Sequence, residues 1–242
     1  DFGKATEQAL KDACGRAGDN KAKYEATNGS VKDFGDEFEK KKVDIAEREA
    51  ELSDPSRKTP DYKKFEIVNR ELQQRDEPAI LAKRKEKLDA AAKAKDLGLK
   101  KELAMQAAEG ARSRKKDAED EAKLAARRGD PAGERAALGE AKNHEADEIR
   151  LMQDATQAAV DEDAAWGEAD ELAKQELGAL QAGIEKEDYA IQLLKDIKAD
   201  QDKREQGELD ASLQDAEDAK KRYDALNEQV GDLGTEYEEK KA

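Results

Sequence analysis

The sequence predicts an all-α fold of long helices, an elongated antiparallel coiled coil or long-helix bundle with no β-sheet, and three observations carry that expectation. Apolar residues recur every seven positions in both terminal segments. The large apolar inventory is thin, with Leu, Ile, Val and Phe together only 36 of 242 residues. That composition with a net charge of -15 would suit disorder, but the 3.5-residue period selects long helices. There are only four prolines, and most of them sit in what read as breaks.

The best period lies near the C-terminus. Leu209, Ala216, Tyr223, Val230 and Tyr237 share one heptad position, and Ser212, Ala219, Leu226 and Leu233 follow three residues later. Upstream, Leu177, Ile184 and Ile191 alternate with Leu180 and Leu194. The two seams read as offset by four residues, a stutter that unwinds a supercoil without ending the helix. These residues form a candidate interface seam.

In chain order, residues 1–52 form a first helix, because Leu10, Ala17, Tyr24, Val31, Phe38, Ile45 and Leu52 keep a heptad without a slip. Ala13, Asn20, Thr27, Phe34, Lys41 and Arg48, three residues on, make a poor second row, which suits a helix at a bundle's edge. Gly15, Gly18 and Gly29 each weaken the helix by roughly 1 kcal/mol against alanine, so a kink or fraying is expected over 15–30. Ser53-Asp54-Pro55 through Thr59-Pro60 is a break, with Thr59 as a cap and Pro60 at the first helical position. The second helix, 60–128, carries Phe65, Val68, Leu72, Leu81, Leu88, Leu99 and Leu103 on its apolar side, then Ala107, Ala111, Ala118, Ala122 and Ala125, with a kink expected at Pro78. Arg128-Gly129-Asp130-Pro131 ends it, and so short a loop makes its neighbours an antiparallel hairpin that brings Leu103 near Ala158 or Ala159. The third segment, 132–242, is a long acidic helix, or a pair if it turns near Gly207.

Charge is unevenly placed. Residues 151–242 carry 26 acidic and 11 basic side chains, whereas 57–128 carry 21 basic and 14 acidic ones. Opposite character favours packing the basic middle on the acidic end, with charge choosing the partner and apolar stripes holding it.

Motifs of reaction chemistry are sparse. Asp1-Phe2-Gly3 copies a kinase triplet without the accompanying loops, and Arg128-Gly129-Asp130 matches an adhesion tripeptide whose Gly and Asp turn chemistry already explains. His144, Glu145, Asp147 and Glu148 lie within about one turn, but a zinc site needs three or four convergent ligands. Acidic clusters such as Asp161-Glu162-Asp163 lack the pattern of a calcium loop, and attract calcium only diffusely. Trp166 continues the spacing Leu138, Glu145, Met152, Ala159, Trp166, Ala173, Leu180 and reads as packing. Cys14, the only cysteine, sits beside the first seam, buried or half-buried. No cofactor, catalytic residue or metal ligand is expected. Nucleic acid is disfavoured by the net charge and by the absence of a stacking-aromatic pattern.

The expected role is a non-enzymatic structural coiled-coil subunit that packs through its seams into a homo- or hetero-oligomeric assembly or filament. In its acidity, its heptads and its lack of an initial methionine, the chain is similar to the proteolytically matured coiled-coil matrix proteins of secretory extrusion organelles. That resemblance implies processing and assembly in such a compartment. A helical-hairpin membrane scaffold or trafficking adaptor is the other alternative, carried by Lys83-Arg84-Lys85 and the basic residues 112–116. No apolar run is long enough to span a bilayer, and the missing methionine reads as processing or truncation.

Overall fold

The computed structural model describes residues 2–52 and 59–241, which are helical almost throughout and contain no strand. The elements are α1 (Phe2–Glu51), α2 (Pro60–Glu71), a π-helical turn (Leu72–Asp76), α3 (Glu77–Arg128) and α4 (Pro131–Lys241). Asp1 and the break at Ser53-Asp54-Pro55 lie outside the described residues.

Each boundary has a local cause. Thr59 Oγ1 accepts the Tyr62 backbone N–H at 3.1 Å, and Pro60 follows it at the first helical position, where a missing N–H costs nothing. Pro78 has no N–H to donate, and its ring crowds the carbonyl four residues back. The chain widens into the π-helical turn just before it, with Glu77 N–H reaching Leu72 O. Past α3, Gly129 takes the left-handed conformation at φ 71°. Its N–H and that of Asp130 return to the carbonyls of Ala126 and Ala125, 3.1 and 3.0 Å away, as a Schellman closure. Asp130 Oδ1 then accepts the N–H groups of Ala132 and Gly133, starting α4 at Pro131. One helix end and the next helix start therefore share two residues, and Arg128-Gly129-Asp130 is explained as turn chemistry.

One expectation about continuity is corrected, and of the two alternatives for the third segment the continuous helix is the one found. No kink or fraying interrupts α1 over 15–30, because Ala13, Ala17, Tyr24 and Val31 are all buried along that stretch and their packing outweighs the glycine cost. Nor does α4 turn at Gly207; it runs unbroken to Lys241.

The chain divides into two compact units. In the first, Asp1–Lys42 with Arg70–Glu187, three helices pack side by side. α3 runs antiparallel to α4: Arg112 pairs with Glu148, Lys101 with Glu162 and Lys87 with Glu176, so positions descend on one helix as they climb on the other. Ala104 and Met105 pack with Ala155 and Ala159, as a hairpin folded at Gly129 requires. α1 runs parallel to α4, with Asn20 on Asp163 and Thr27 on Asp170, and antiparallel to α3, with Asn28 on Lys87 and Lys42 on Glu77.

The second unit, Val43–Asn69 with Asp188–Ala242, has its own core of Ile45, Leu52, Phe65, Ile191, Leu194 and Ile197. Tyr62 meets Phe65 there at 6.0 Å between ring centroids.

Gly129→Ala is expected to destabilise the protein by about 1 kcal/mol, because the left-handed backbone crowds a Cβ. Gly139→Ala, in mid-helix with open space around it, should stabilise by about 0.5–1 kcal/mol. Thermal unfolding of the two variants checks the opposite signs.

Candidate functional site

Helix α4 carries a buried seam, through Glu187 in the first unit and from Ala190 onwards in the second. Ala155, Glu162, Ala169, Glu176, Gly183, Ala190 and Ile197 recur every seven residues, and Ala159, Trp166, Ala173, Leu180, Glu187 and Leu194 interleave with them. All of them are buried, and Gly183 has no room for a side chain, since a Cβ there would meet the Phe38 ring at 2.6 Å. The expected row Leu177, Ile184 and Ile191 is therefore not the centre of this seam but its flank, turned towards α1. Leu180 and Leu194 do lie in it. Heptad spacing from Leu180 reaches Glu187 and from Ala169 reaches Glu176, so the period itself pointed at these carboxylates. They were missed because charge was read as solvent exposure.

The buried charges are matched across helices. Glu176 Oε1 accepts from Arg84 Nε at 2.9 Å and its Oε2 lies 2.6 Å from Lys87 Nζ, which also donates to Asn28 Oδ1 at 2.7 Å. Glu162 meets Lys101 at 2.6 Å and accepts Trp166 Nε1–H at 3.4 Å. Gly98 makes room for it, because a Cβ there would stand 2.8 Å from Glu162 Oε1. On the α1 side, Asp163 accepts from Asn20 at 2.8 Å and Asp170 from Thr27 at 2.7 Å. Burial pushes the Asp170 carboxyl up, but hydrogen bonds from Lys174 and Thr27 hold it below the usual value. The poor second row of α1 is thus a polar row that α4 answers in kind. Trp166 is packing, as its spacing implied: it is buried, 5.3 Å from Tyr24 between ring centroids, with Lys21 Nζ 5.8 Å from its ring.

These pairs overturn part of the apolar side expected for the second helix: Phe65, Leu72, Ala111, Ala118 and Ala122 are buried as expected, but the leucines between them are not. Leu81, Leu88, Leu99 and Leu103 are all more than half exposed, while Ile80, Lys87, Ala94, Ala108 and Ala122 turn inward. The leucines at 81 and 88 stand one residue past that inner row, about 100° round the helix. Turning them in would strip Glu162 and Glu176 of their cations. Ala107 is exposed, Ala125 is half-buried, and Ala111 and Ala118 are buried.

The candidate seam residues fall into two groups. Leu10, Tyr24, Val31, Phe38, Ile45 and Leu52 are buried by the chain's own helices, as are Leu180, Ile184, Ile191 and Leu194, with Leu177 half-buried. Leu209, Tyr223, Leu226, Val230, Leu233 and Tyr237 are 54–67% exposed, and Ala216 is exposed beside them. Set against the buried seam of α4, this exposed one is displaced by a single residue rather than four, turning it about 100° round the helix.

The sequence clusters weighed for chemistry are engaged in ion pairs. Glu145 binds Lys115, Glu148 binds Arg112 and Asp147 binds Arg150. Among the described residues, no three His, Cys, Asp or Glu side chains are grouped as metal ligands. Cys14, half-buried, lines a groove of about 360 Å³ with Leu10, Met105 and Met152. No helix among the described residues is long and apolar enough to cross a membrane. Comparison with protein-family models, with curated proteins and with solved structures found no match.

Two outcomes are expected for the buried charges. Glu176→Leu strands the Lys87 ammonium and should cost about 3–5 kcal/mol, most of it recovered by adding Lys87→Met; denaturant titration of the single and double variants measures both. Glu187 differs, because its Oε2 has no hydrogen-bond partner. Burial pushes its carboxyl up to about 8 from 4.5, helped by Glu77 and Glu39 and opposed by Lys42 and Lys41. The folded state therefore keeps a proton that the unfolded chain releases, so this group's contribution declines as pH rises from 4.5 to about 8. Glu187→Gln should flatten that decline in a series of melting temperatures against pH, and be the more stable protein at pH 8.5.

Proposed function

We propose that this chain is a non-enzymatic structural subunit that packs with other helical chains through a heptad seam. One observation carries the reading. Helix α4 continues to Lys241, yet from 202 onwards nearly every residue is exposed, including the apolar row of residues 209–237. Contiguous exposed apolar surface of this kind marks an interaction site. Isolated helix is marginal in water, and here, among the described residues, it is supported by local pairs such as Lys240 with Glu236 and Arg204 with Asp200. A helical partner covering the row would supply the missing burial. The titratable groups inside the first unit support the same reading, since most serve to hold helices together.

Leu226→Asp should abolish assembly, because a carboxylate buried in the seam would have no cation. Glu145→Ala, which removes one surface pair worth about 0.2–1 kcal/mol, should leave assembly intact. Light scattering on the full chain and both variants decides: equal effects, or a wild-type mass equal to one chain of 26.7 kDa, would contradict the proposal.

A further inference from the structure

We infer that the covering partner is a second copy of the same segment, aligned in parallel and in register as a two-stranded coiled coil over residues 209–237. This rests on the structural-subunit reading above and adds to it the identity and direction of the partner. A heptad surface is matched by another heptad surface that is itself free. Among the described residues the rows of α1 and of upstream α4 are already buried, and this one is not.

For a pair that covers the whole row from 209 to 237, charge decides the direction. Residues 205–241 carry twelve acids and five bases, which at first sight opposes self-pairing. With Leu209 and Leu226 at the a and d positions of the heptad, however, six of the eight acids between 209 and 237 fall on the outer b, c and f positions, away from a partner. The flanking e and g positions set the orientation. In a parallel, in-register pair, Asp215 at g faces the partner's Lys220 at e, twice by symmetry, and Arg222 faces the partner's Asn227. No like charges meet. The antiparallel alternative that sets each tyrosine at 223 against the partner's Ala219 brings Lys220 onto the partner's Lys220, Arg222 onto the partner's Arg222 and Glu208 onto the partner's Glu236. Like charges so placed are unfavourable, and the parallel pair replaces them with attraction. A parallel pair closes on a two-fold axis, so the seam is used up in a dimer.

The test uses the full chain with Cys14→Ser and Leu226→Cys; Leu226 is exposed in the single chain, so its replacement leaves the fold intact. Oxidation should give a disulfide-linked dimer, while Cys14→Ser with Asp210→Cys, on the outer face, should give none. Asp215→Lys should weaken the dimer about tenfold, and Asp215→Lys with Lys220→Asp should restore it, read by sedimentation at several concentrations. An oligomer that links cysteines at 216 and 226 but not at 226 and 226 is antiparallel and overturns the pairing. So does an oligomer that ignores the charge swap and is lost on Leu88→Lys with Leu99→Lys, which would place the seam against the exposed leucines of α3. Both leave the subunit reading standing. A monomer at every concentration overturns the pairing and the subunit reading together.

Discussion

Two buried carboxylates, Glu162 and Glu176, constrain the first unit more than any apolar contact does. Each occupies a position of the α4 seam that a leucine would ordinarily fill, and each is inside the protein. A buried charge that loses its counter-charge costs about 3–5 kcal/mol, a large share of an ordinary domain's stability. The facing helix must therefore bring cations inward at matching heights, and α3 does so with Lys87 and Lys101, spaced by two heptads like the glutamates they meet. Once those lysines face in, the rotation of α3 is set and its leucines at 81, 88, 99 and 103 are left outside.

Small residues make that arrangement close enough to work. Half of the buried apolar side chains among the described residues are alanine, 17 of 34. Alanines let helix backbones approach, which brings lysine and glutamate tips within hydrogen-bonding reach inside the interface. Where a large side chain does enter, a small one receives it: Phe38 lies over Gly183. Dispersion contacts at such short separations accumulate along the helices although each is weak.

The two ends of α4 put one pattern to different uses. Between 155 and 197 its heptads are saturated by helices of the same chain. Beyond 202 the heptads persist, shifted by one residue, and among the described residues nothing from the same chain covers them. An apolar row on a charged helix adds nothing to the stability of an isolated chain and invites association.

Much of the fold was legible in the sequence because its causes are local. The seven-residue period of α1, the cap at Thr59-Pro60, the distortion at Pro78 and the turn at Gly129-Asp130 each follow from residues within a few positions of the effect. The all-helical fold and the α3–α4 hairpin follow from them in turn. Two features could not be read that way. Which face of α3 turns inward depends on carboxylates presented by another helix some 60 to 90 positions away, and hydropathy alone favoured the leucines. Glycines at 15, 18 and 29 argued for a break in α1 that the packing of Ala13, Tyr24 and Val31 prevents. By itself, then, the sequence determined helix type, helix ends and the existence of a seam, which depend on backbone geometry and short-range capping. Only the tertiary structure decided which seams are filled and which remains open, because burial of a charge or a leucine is set by what the neighbouring helix presents at the same height.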